Sequence, residues 1–365
     1  MGAGCGARAG AGAPADAMAE GAAIGRGLDA SGACDAGQPQ SCAACGAGVS
    51  ACGTSGDSCC TSPIVTGGTF YRTYDGVTAS FGSEATLAPD GGATQMADPA
   101  TVSDFQLDEY LVTVGRFRAF VGAWNGGNGW LPPAGSGKHT HLNGGLGLVN
   151  AATDAGVGYE PGWVASDDFN IAPTDTNLAC DSDDGTWTPA PGDNESLPIN
   201  CVNWYEAYAF CIWDGGFLPS EAEWVYAAAG GSQQREYPWG STFPGSDNRY
   251  AIYDCLYPSR PDGSDACLSG TQNIAPVGTA SLGAGLWGQV DLEGELLEWN
   301  LDFFALGYGS PCTDCAQLTP AVQRTDHGGY SASPFRGLYP STRQFFGQNP
   351  SSHSSFYGVR CARTP

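Results

Sequence analysis

The residues best suited to chemistry in this chain are its 15 cysteines, which occur beside only four histidines. Seven cysteines precede residue 61 and eight follow it, at positions 5, 34, 42, 45, 52, 59, 60, 180, 201, 211, 255, 267, 312, 315 and 361. The later eight can pair completely, whereas the first seven leave at least one over. Many cysteines with few histidines are typical of disulfides formed in an oxidising compartment.

Two CxxC motifs keep structural zinc open as an alternative. They are Cys42-x-x-Cys45 and Cys312-x-x-Cys315, and such pairs are common zinc ligands. The motifs lie some 270 residues apart, and their surroundings do not resemble zinc knuckles. We therefore expect disulfides, and proximity along the chain suggests Cys180–Cys201, Cys255–Cys267 and Cys312–Cys315.

The closest pair of histidines is His139 and His141, in the segment Gly137-Lys-His-Thr-His-Leu-Asn143. With a third ligand, these two side chains could bind a metal ion. Polar side chains in such loops more commonly hydrogen-bond to nearby backbone, and this interpretation is the favoured one.

The charge of the chain excludes whole classes of partner. It has 38 Asp and Glu against 14 Lys and Arg, for a formal net charge of −24. Nucleic acids and anionic membrane surfaces both attract clusters of cationic side chains, so we expect neither as a partner. The sequence contains no apolar run of 18 residues, and we expect no transmembrane segment.

The cysteines imply an extracytoplasmic protein, either secreted or associated with the cell envelope. Residues 1–30 nevertheless lack the basic and apolar regions of a signal peptide. The natural start therefore lies upstream, or the signal was removed, or export uses another route.

The composition divides the chain near residue 62. Residues 1–62 are rich in Gly, Ala and Cys and contain no aromatic residue, so they cannot bury enough apolar surface to offset their ordering entropy. We expect a disordered tether there, with local disulfides. Aromatic residues are frequent from residue 63 onwards, which predicts one domain over residues 63–365.

Helical periodicity occurs in three places in this domain. The pattern predicts helices over 113–124, with Thr113 as N-cap, and over 203–214, ended by Gly215. The third helix begins at the capping box of Ser220 and Glu223 and ends at residue 229. Short strands and long loops make up the rest.

Seven sequence blocks follow one another in a recognisable order. They are Gly67-Gly68-Thr69-Phe70, Phe105 to Thr113, Pro198 to Ala207, Gly216 to Trp224, Tyr237-Pro-Trp-Gly240, Asp291 to Trp299, and Gly328-Gly329 with Gly358-Val-Arg360-Cys361. Together they resemble the formylglycine-generating enzyme family, also called the sulfatase-modifying factor domain, from about residue 64 to residue 364. The resemblance implies an α+β fold, irregular and loop-rich, related to C-type lectins, with few short helices and strands.

The resemblance also implies where the chemistry of the family would lie. Members oxidise a substrate cysteine to formylglycine with O₂, using two cysteines that bind copper(I) just after the Gly-Gly block. An ungapped match puts Ser333 and Leu338 at those two positions. Neither is the soft thiolate that copper(I) prefers, so copper is not expected. Ser333, Arg336 and Arg343 remain as candidate catalytic residues of the cleft.

A structural calcium ion is a second implication of the resemblance. Its ligands would be the carboxylates of Asp291 and Glu298 and the backbone carbonyls of Gly294 and Leu296, and such oxygen ligands suit Ca²⁺. Glu298 could instead accept backbone hydrogen bonds within the loop. Glu295 stands where the family has asparagine, which adds negative charge.

The resemblance further implies a disulfide between Cys211 and Cys361. The other disulfide of the family is absent because Ala228 occupies one of its positions.

Two hypotheses of function follow from these observations. The favoured one is a secreted or surface domain without copper-dependent oxidase activity, whose cleft binds a peptide, glycan or protein ligand. The alternative is a divergent oxidoreductase or protein-modifying enzyme that works around Ser333, although no general base for that serine is identified.

Overall fold

Short helices and small sheets are connected by long loops in this protein, whose structure is a computed structural model. It describes residues 38–73, 98–151, 158–258, 267, 273–343 and 347–365. The α-helices are α1 Val114–Trp124, α2 Asp175–Leu178, α3 Trp204–Trp213 and α4 Glu221–Ala228. Within these ranges, no helix has the length and apolar character needed to cross a membrane.

The helices begin where the sequence places its capping residues. The Thr113 hydroxyl accepts a hydrogen bond from the Arg116 N–H at 3.1 Å, which starts α1. Capping boxes start the other two long helices, with Asn203 before α3 and Ser220 before α4. After α4, Gly230 has φ 63°, a conformation that favours glycine. The three predicted helices are therefore confirmed to within a residue or two at their ends.

The strands are mostly two to four residues long, as expected for an irregular chain. They are β1 Ile64–Val65, β2 Gly68–Tyr71, β3 Pro99–Val102, β4 Phe105–Leu107, β5 Val149–Asn150, β6 Leu297–Phe303, β7 Cys312–Thr313, β8 Cys315–Ala316, β9 Arg324–His327, β10 Tyr357–Gly358 and β11 Ala362–Arg363. They form small sheets in the orders β1-β4-β11, β10-β6-β9, β2-β3-β7 and β5-β8. The α+β fold with few short helices and strands is thus confirmed.

Strand β6 is the longest strand and lies at the centre of the sheet nearest the expected sites. It pairs antiparallel with β9, where Glu298 faces His327, and parallel with β10, where Glu298 faces Gly358. This pairing brings the expected calcium loop, which precedes β6, beside the Gly-Gly block that follows β9.

Aromatic side chains of α1 and α3 form much of the main core. The rings of Phe117 and Phe210 stack at 5.4 Å, and Phe120 meets Phe210 edge-on at 5.9 Å. Trp204 of α3 and Trp299 of β6 are also buried in this cluster. Burying side chains of this size supplies most of the apolar stabilisation of a domain.

Residues 38–62 pack against the domain and so differ from the disordered tether expected over 1–62. Two disulfides hold this segment, Cys42–Cys60 and Cys52–Cys59. The buried Arg116 guanidinium donates to the Ser41 hydroxyl at 3.0 Å and to the Cys59 carbonyl at 3.0 Å. Disulfides and buried hydrogen bonds thus order a segment that has too few apolar residues for its own core. Residues 1–37 lie outside the described residues.

The expected disulfides of the domain are confirmed. They are Cys180–Cys201, Cys211–Cys361, Cys255–Cys267 and Cys312–Cys315. In the other CxxC motif, Cys42 is bonded to Cys60, and Cys45 is also in a disulfide. The zinc alternative is therefore wrong for both motifs, because none of their sulfur atoms is a free thiolate.

Candidate functional site

The segment from Tyr330 to Leu338, here called the Ser333 turn, follows the Gly-Gly block at the end of β9. The Ser333 side chain is buried, and its hydroxyl accepts a hydrogen bond from the Tyr330 N–H at 2.9 Å. The Ser333 carbonyl accepts another from the Asp254 N–H at 3.0 Å. Leu338 is fully buried in an aromatic cluster with Tyr237. The serine hydroxyl thus closes a turn, and the leucine packs in a core.

The other two candidate catalytic residues do not converge on Ser333. Arg336 is exposed and lies over the Phe335 ring at 5.6 Å. Arg343 is buried, and its Nε donates to Glu221 Oε1 at 2.7 Å. Ser333 therefore stabilises a turn, Arg336 lies on the surface, and Arg343 forms a buried ion pair.

Glu221 is the centre of that ion pair and was missed in the sequence, where it is only the first residue of a helix. It also interacts with His327 Nε2 at 2.9 Å. Burial opposes the charge of Glu221, but Arg343 and His327 together lower its pKa to about 2. Nearby on β9, both carboxylate oxygens of Asp326 are buried without a hydrogen-bond partner. Burial and the charge of Glu221 raise the pKa of Asp326 to about 8.

The loop expected to bind calcium is a tight turn before β6. Gly294 has φ 86°, and a Cβ atom there would lie 2.4 Å from the Ile252 carbonyl oxygen, so glycine is required. Asp291 Oδ2 accepts the Gly278 N–H at 2.6 Å. Glu298 accepts hydrogen bonds from Trp224 Nε1 at 2.7 Å and from Arg360 Nη2 at 2.9 Å. Arg360 thus neutralises the charge of Glu298. The sequence suggested that Glu298 binds calcium or accepts backbone hydrogen bonds, and it gave no sign of this ion pair.

This loop carries more negative charge than its surroundings neutralise. Glu293 and Glu295 are buried beside Asp291 and Glu298, and neither oxygen of Glu293 has a hydrogen-bond partner. Burial raises the pKa of Asp291 to about 6 and the pKa values of Glu293 and Glu295 well above the ordinary range. Buried carboxylates without partners are the hard oxygen donors that suit Ca²⁺.

The arrangement of these carboxylates is not itself a ready-made cage. Within the described ranges, no three side chains of His, Cys, Asp or Glu are grouped so as to hold a metal ion. The expected calcium set uses only two carboxylates, Asp291 and Glu298, with the carbonyls of Gly294 and Leu296. Its donor types fit calcium, although Glu298 is shared with Arg360.

His139 forms a buried charge cluster in place of a metal site. Its Nδ1 lies 3.0 Å from Glu160 Oε2, and its Nε2 lies 3.0 Å from Glu223 Oε2. Burial opposes the imidazolium, but the two glutamates raise the pKa of His139 to about 10. Both ring nitrogens are therefore engaged, and the cluster connects the long loop containing Glu160 to α4. The sequence named His139 but gave no signal for the two glutamates.

The sulfur chemistry of the described residues does not fit copper(I). Each of the cysteines there is in a disulfide; they are Cys42, Cys45, Cys52, Cys59, Cys60, Cys180, Cys201, Cys211, Cys255, Cys267, Cys312, Cys315 and Cys361. Copper(I) prefers thiolates, and a disulfide offers none. The oxidase site implied by the resemblance has Ser333 and Leu338 in its place.

Comparisons with known proteins bear on both the fold and the site. A family model described as the sulfatase-modifying factor enzyme 1-like domain matches residues 54–365. The formylglycine-generating enzyme of Streptomyces coelicolor is 31% identical over 282 residues, which cover 71% of this chain and 77% of that protein. The Mus musculus protein named inactive C-alpha-formylglycine-generating enzyme 2 is 31% identical over 176 residues, covering 48% of this chain and 52% of that protein.

The solved structure of PvdO from Pseudomonas aeruginosa is similar in fold. It aligns with a TM-score of 0.50 and 19% identity, over 83% of this chain and 93% of that chain. This likeness concerns the fold alone. The family model over residues 54–365 and the 31% identity to the Streptomyces coelicolor enzyme show that the chain belongs to the family of sulfatase-modifying factor enzyme 1-like domains. The family match begins at residue 54, within the packed segment 38–62.

Proposed function

We propose that this protein is a binding domain of the sulfatase-modifying factor family that has no copper-dependent cysteine oxidase activity. The observation that carries the proposal is the state of the Ser333 turn. A serine and a leucine stand where two thiolates are expected, and both are used within the protein, in a turn and in a core. The disulfide-bonded cysteines elsewhere add support, because they leave the described residues without a free thiolate.

The named relatives include proteins of both kinds. One is a formylglycine-generating enzyme, and another is named as an inactive form. Membership in the family therefore does not by itself imply oxidase activity, since function depends on the site and not on the fold.

The direct test is conversion of a Cys-x-Pro-x-Arg peptide to formylglycine. The full chain is incubated with copper(I), O₂ and the peptide, and the product is measured by mass spectrometry. The enzyme of Streptomyces coelicolor is the positive control. We expect product from the control alone, and formation of formylglycine by this protein would overturn the proposal.

Calcium binding by the loop from Asp291 to Glu298 is a separate proposal. Glu293 lies within this loop, and its buried carboxyl group without a hydrogen-bond partner supports a cation there. We expect Ca²⁺ to raise the unfolding temperature of the full chain, EGTA to reverse that rise, and D291N to abolish it. An unfolding temperature that is independent of Ca²⁺ up to the millimolar range would contradict calcium binding.

An extracytoplasmic location is also proposed, because the disulfides of the domain need an oxidising compartment. Thiol labelling of the protein isolated from its native cells tests this. We expect the thiols of the disulfide cysteines to react only after reduction, whereas labelling without reduction would indicate a reducing compartment.

A protein-modifying enzyme that works without copper is the second candidate, and Asp326 favours it. Both of its carboxyl oxygens are buried without a hydrogen-bond partner, and burial and the charge of Glu221 raise its pKa to about 8, a shift of the kind that is common at functional sites. Peptide modification in copper-free buffer that is lost in D326N would support this candidate, and unchanged peptide would exclude it for that substrate.

A further inference from the structure

A cavity of about 200 Å³ lies between the long loop of residues 160–167, helix α3 and the sheet that contains β6 and β9. Its walls are mainly apolar and aromatic; they include Trp163, Trp204, Tyr208, Leu301, Phe303 and Arg324. This cavity is distinct from the Ser333 turn, because no residue of that turn lines it. A mainly apolar cavity with a few polar groups is the usual form of a small-molecule site.

The loop that covers the cavity is held in one conformation. The Trp163 N–H donates to the Ser136 carbonyl at 2.8 Å, and the Gly135 N–H donates to the Trp163 carbonyl at 2.8 Å. Gly162 has φ 70°, and a Cβ atom there would lie 2.5 Å from the Gly135 carbonyl oxygen. The cavity wall is therefore pre-formed, which lowers the entropic cost of binding a ligand.

Arg324 is the cationic group of the cavity. Its guanidinium carbon lies 3.7 Å from the centre of the Trp204 ring and 3.4 Å from the centre of the Phe303 ring. Nη1 donates to the Leu301 carbonyl at 2.6 Å. Nε is buried out of reach of a ligand and has no hydrogen-bond partner, although the side chain as a whole is only partly buried. Nη2, at the outer edge of the guanidinium, donates to none of the described residues and is the nitrogen that can form a charge-assisted hydrogen bond with a carboxylate.

Three other polar side chains of the cavity wall, those of Tyr208, Trp204 and Glu160, already have partners. The Tyr208 hydroxyl donates to the Gly137 carbonyl at 3.1 Å, and Trp204 Nε1 donates to the Asn300 carbonyl at 2.8 Å. Glu160 also lines the cavity, but its carboxylate is paired with His139. A free donor edge therefore belongs to Arg324 and not to these neighbours.

Asp167 lies on the same cavity without forming an ion pair with Arg324. Each residue affects the charge state of the other, yet the two side chains form no salt bridge within the described part of the chain. Burial raises the pKa of Asp167 and lowers the pKa of Arg324 to about 10, so both charges lack full compensation. An incoming anion would supply the compensation that Asp167 does not give to Arg324.

The mouth of the cavity is apolar as well. Val164 lines it and is 44% exposed. Phe169 and Val322 do not line the cavity, but each is 81% exposed and lies within two residues of a lining residue in the sequence. An exposed apolar side chain at a pocket, such as that of Val164, is typical of a binding surface.

We infer that this cavity binds an aromatic carboxylate, with its ring against the aromatic walls and its carboxylate on Nη2 at the outer edge of Arg324. The volume agrees with a ligand of this size, since apolar cavities of about 150 Å³ hold a benzene ring. The site deepens the proposed binding function and rests on it, because it names the class of ligand.

The test is isothermal titration calorimetry of the full chain with charge-matched probes. The probes are 3-phenylpropionate, its amine counterpart 3-phenylpropylamine, and the neutral 3-phenylpropanol. We expect the acid to bind with one site per chain, and the amine and alcohol to bind at least about tenfold more weakly. Equal binding of acid and amine, or no binding of the acid at 10 mM, would overturn the inference.

Variants of the cavity assign the binding to its residues. R324Q should weaken binding of the acid about tenfold or more, and D167N should strengthen it about twofold to fivefold by removing a repulsive charge. V164W should block the mouth while leaving the arginine unchanged, so it tests the site even if R324Q fails to fold. R249Q, which alters an exposed arginine outside the cavity, is the matched control and should bind as the parent does.

Two sources of the ligand are distinguished by two further probes. A short peptide that ends in phenylalanine with a free carboxylate is compared with the same peptide as its C-terminal amide. Tighter binding of the acid peptide than of 3-phenylpropionate would assign the cavity to protein C-termini, and the reverse would assign it to a free aromatic acid. Formylglycine formation would overturn the proposed function, whereas absence of binding overturns only this site, so the two failures are measured separately.

Discussion

The Ser333 turn and the Arg324 cavity differ in how their polar groups are satisfied. In the turn, the Ser333 hydroxyl accepts a backbone hydrogen bond, and the other buried candidate, Arg343, is paired with Glu221 outside the turn. In the cavity, the outer edge of Arg324 has no hydrogen-bond or salt-bridge partner among the described residues. One region has the sequence blocks of an enzyme family, and the other has the unsatisfied group that a ligand could satisfy.

This difference indicates where binding energy is available. A buried polar group that already has its partners contributes to stability and offers little to a ligand, whereas an unsatisfied one carries a cost that a ligand can remove. Substitutions near the Ser333 turn should therefore change stability, and substitutions in the cavity should change ligand binding.

The largest expected effect on stability comes from Glu221. E221Q leaves Arg343 buried without a compensating charge, and we expect a loss of about 3–5 kcal/mol in the free energy of unfolding. Urea denaturation measures it. A loss below about 1 kcal/mol would mean that the pair is not the structural element described above.

The stability of the protein should depend on pH near the cavity, because His139 is paired with Glu160, which lines it. The folded-state pKa of His139 is raised from 6.5 to about 10 by Glu223 and Glu160, against the effect of burial. A raised pKa means that the stabilisation is fully present below pH 6.5 and is lost as the pH rises towards 10.

We therefore expect the difference in unfolding free energy between the parent and H139Q to shrink with rising pH. Between pH 6 and pH 9 it should fall by on the order of 3 kcal/mol. H141Q is the control, since His141 lacks these carboxylate partners and burial lowers its pKa. A parent–H139Q difference that is flat with pH would contradict the charged pair.

A smaller effect is expected at Ser333 itself. S333A removes one buried hydrogen bond to the Tyr330 N–H, which is worth about 1 kcal/mol of unfolding free energy. Binding of 3-phenylpropionate should be unchanged, because Ser333 does not line the cavity. A large loss of binding in S333A would place the ligand at the turn and not at Arg324.

The smallest effect is expected for an exposed ion pair. Arg249 and Asp247 lie 2.6 Å apart on the surface, where water screens their interaction. D247N should leave the unfolding temperature unchanged within error. A measurable drop would show that charges matter for this acidic protein well beyond its buried pairs.

Local sequence signals predicted much of the framework. Thr113, Asn203 and Ser220 start helices because their side chains cap backbone N–H groups within three residues, and such short-range chemistry can be read along the chain. Cys211–Cys361, in contrast, spans 150 residues and was expected only through the family resemblance.

The candidate site was harder to predict because its contacts join distant parts of the chain. His139 meets Glu223 across 84 residues, and Glu298 meets Arg360 across 62. Arg324 carries no motif that marks it as a binding residue, since its role depends on the rings of Trp204 and Phe303 above and below it. Composition also predicted disorder for residues 38–62, which is wrong. Disulfides and hydrogen bonds from Arg116 order this segment without an apolar core of its own.

Whether the Ser333 turn lacks a copper site is measured by the copper(I) affinity of the full chain with its disulfides intact. Copper(I) held by a coloured chelator is titrated with the protein, and the enzyme of Streptomyces coelicolor serves as the positive control. With Ser333 and Leu338 in place of a thiolate pair, we predict that the chelator keeps its copper at every protein concentration. Transfer of one copper ion per chain to the protein would contradict the proposal that the copper site is absent.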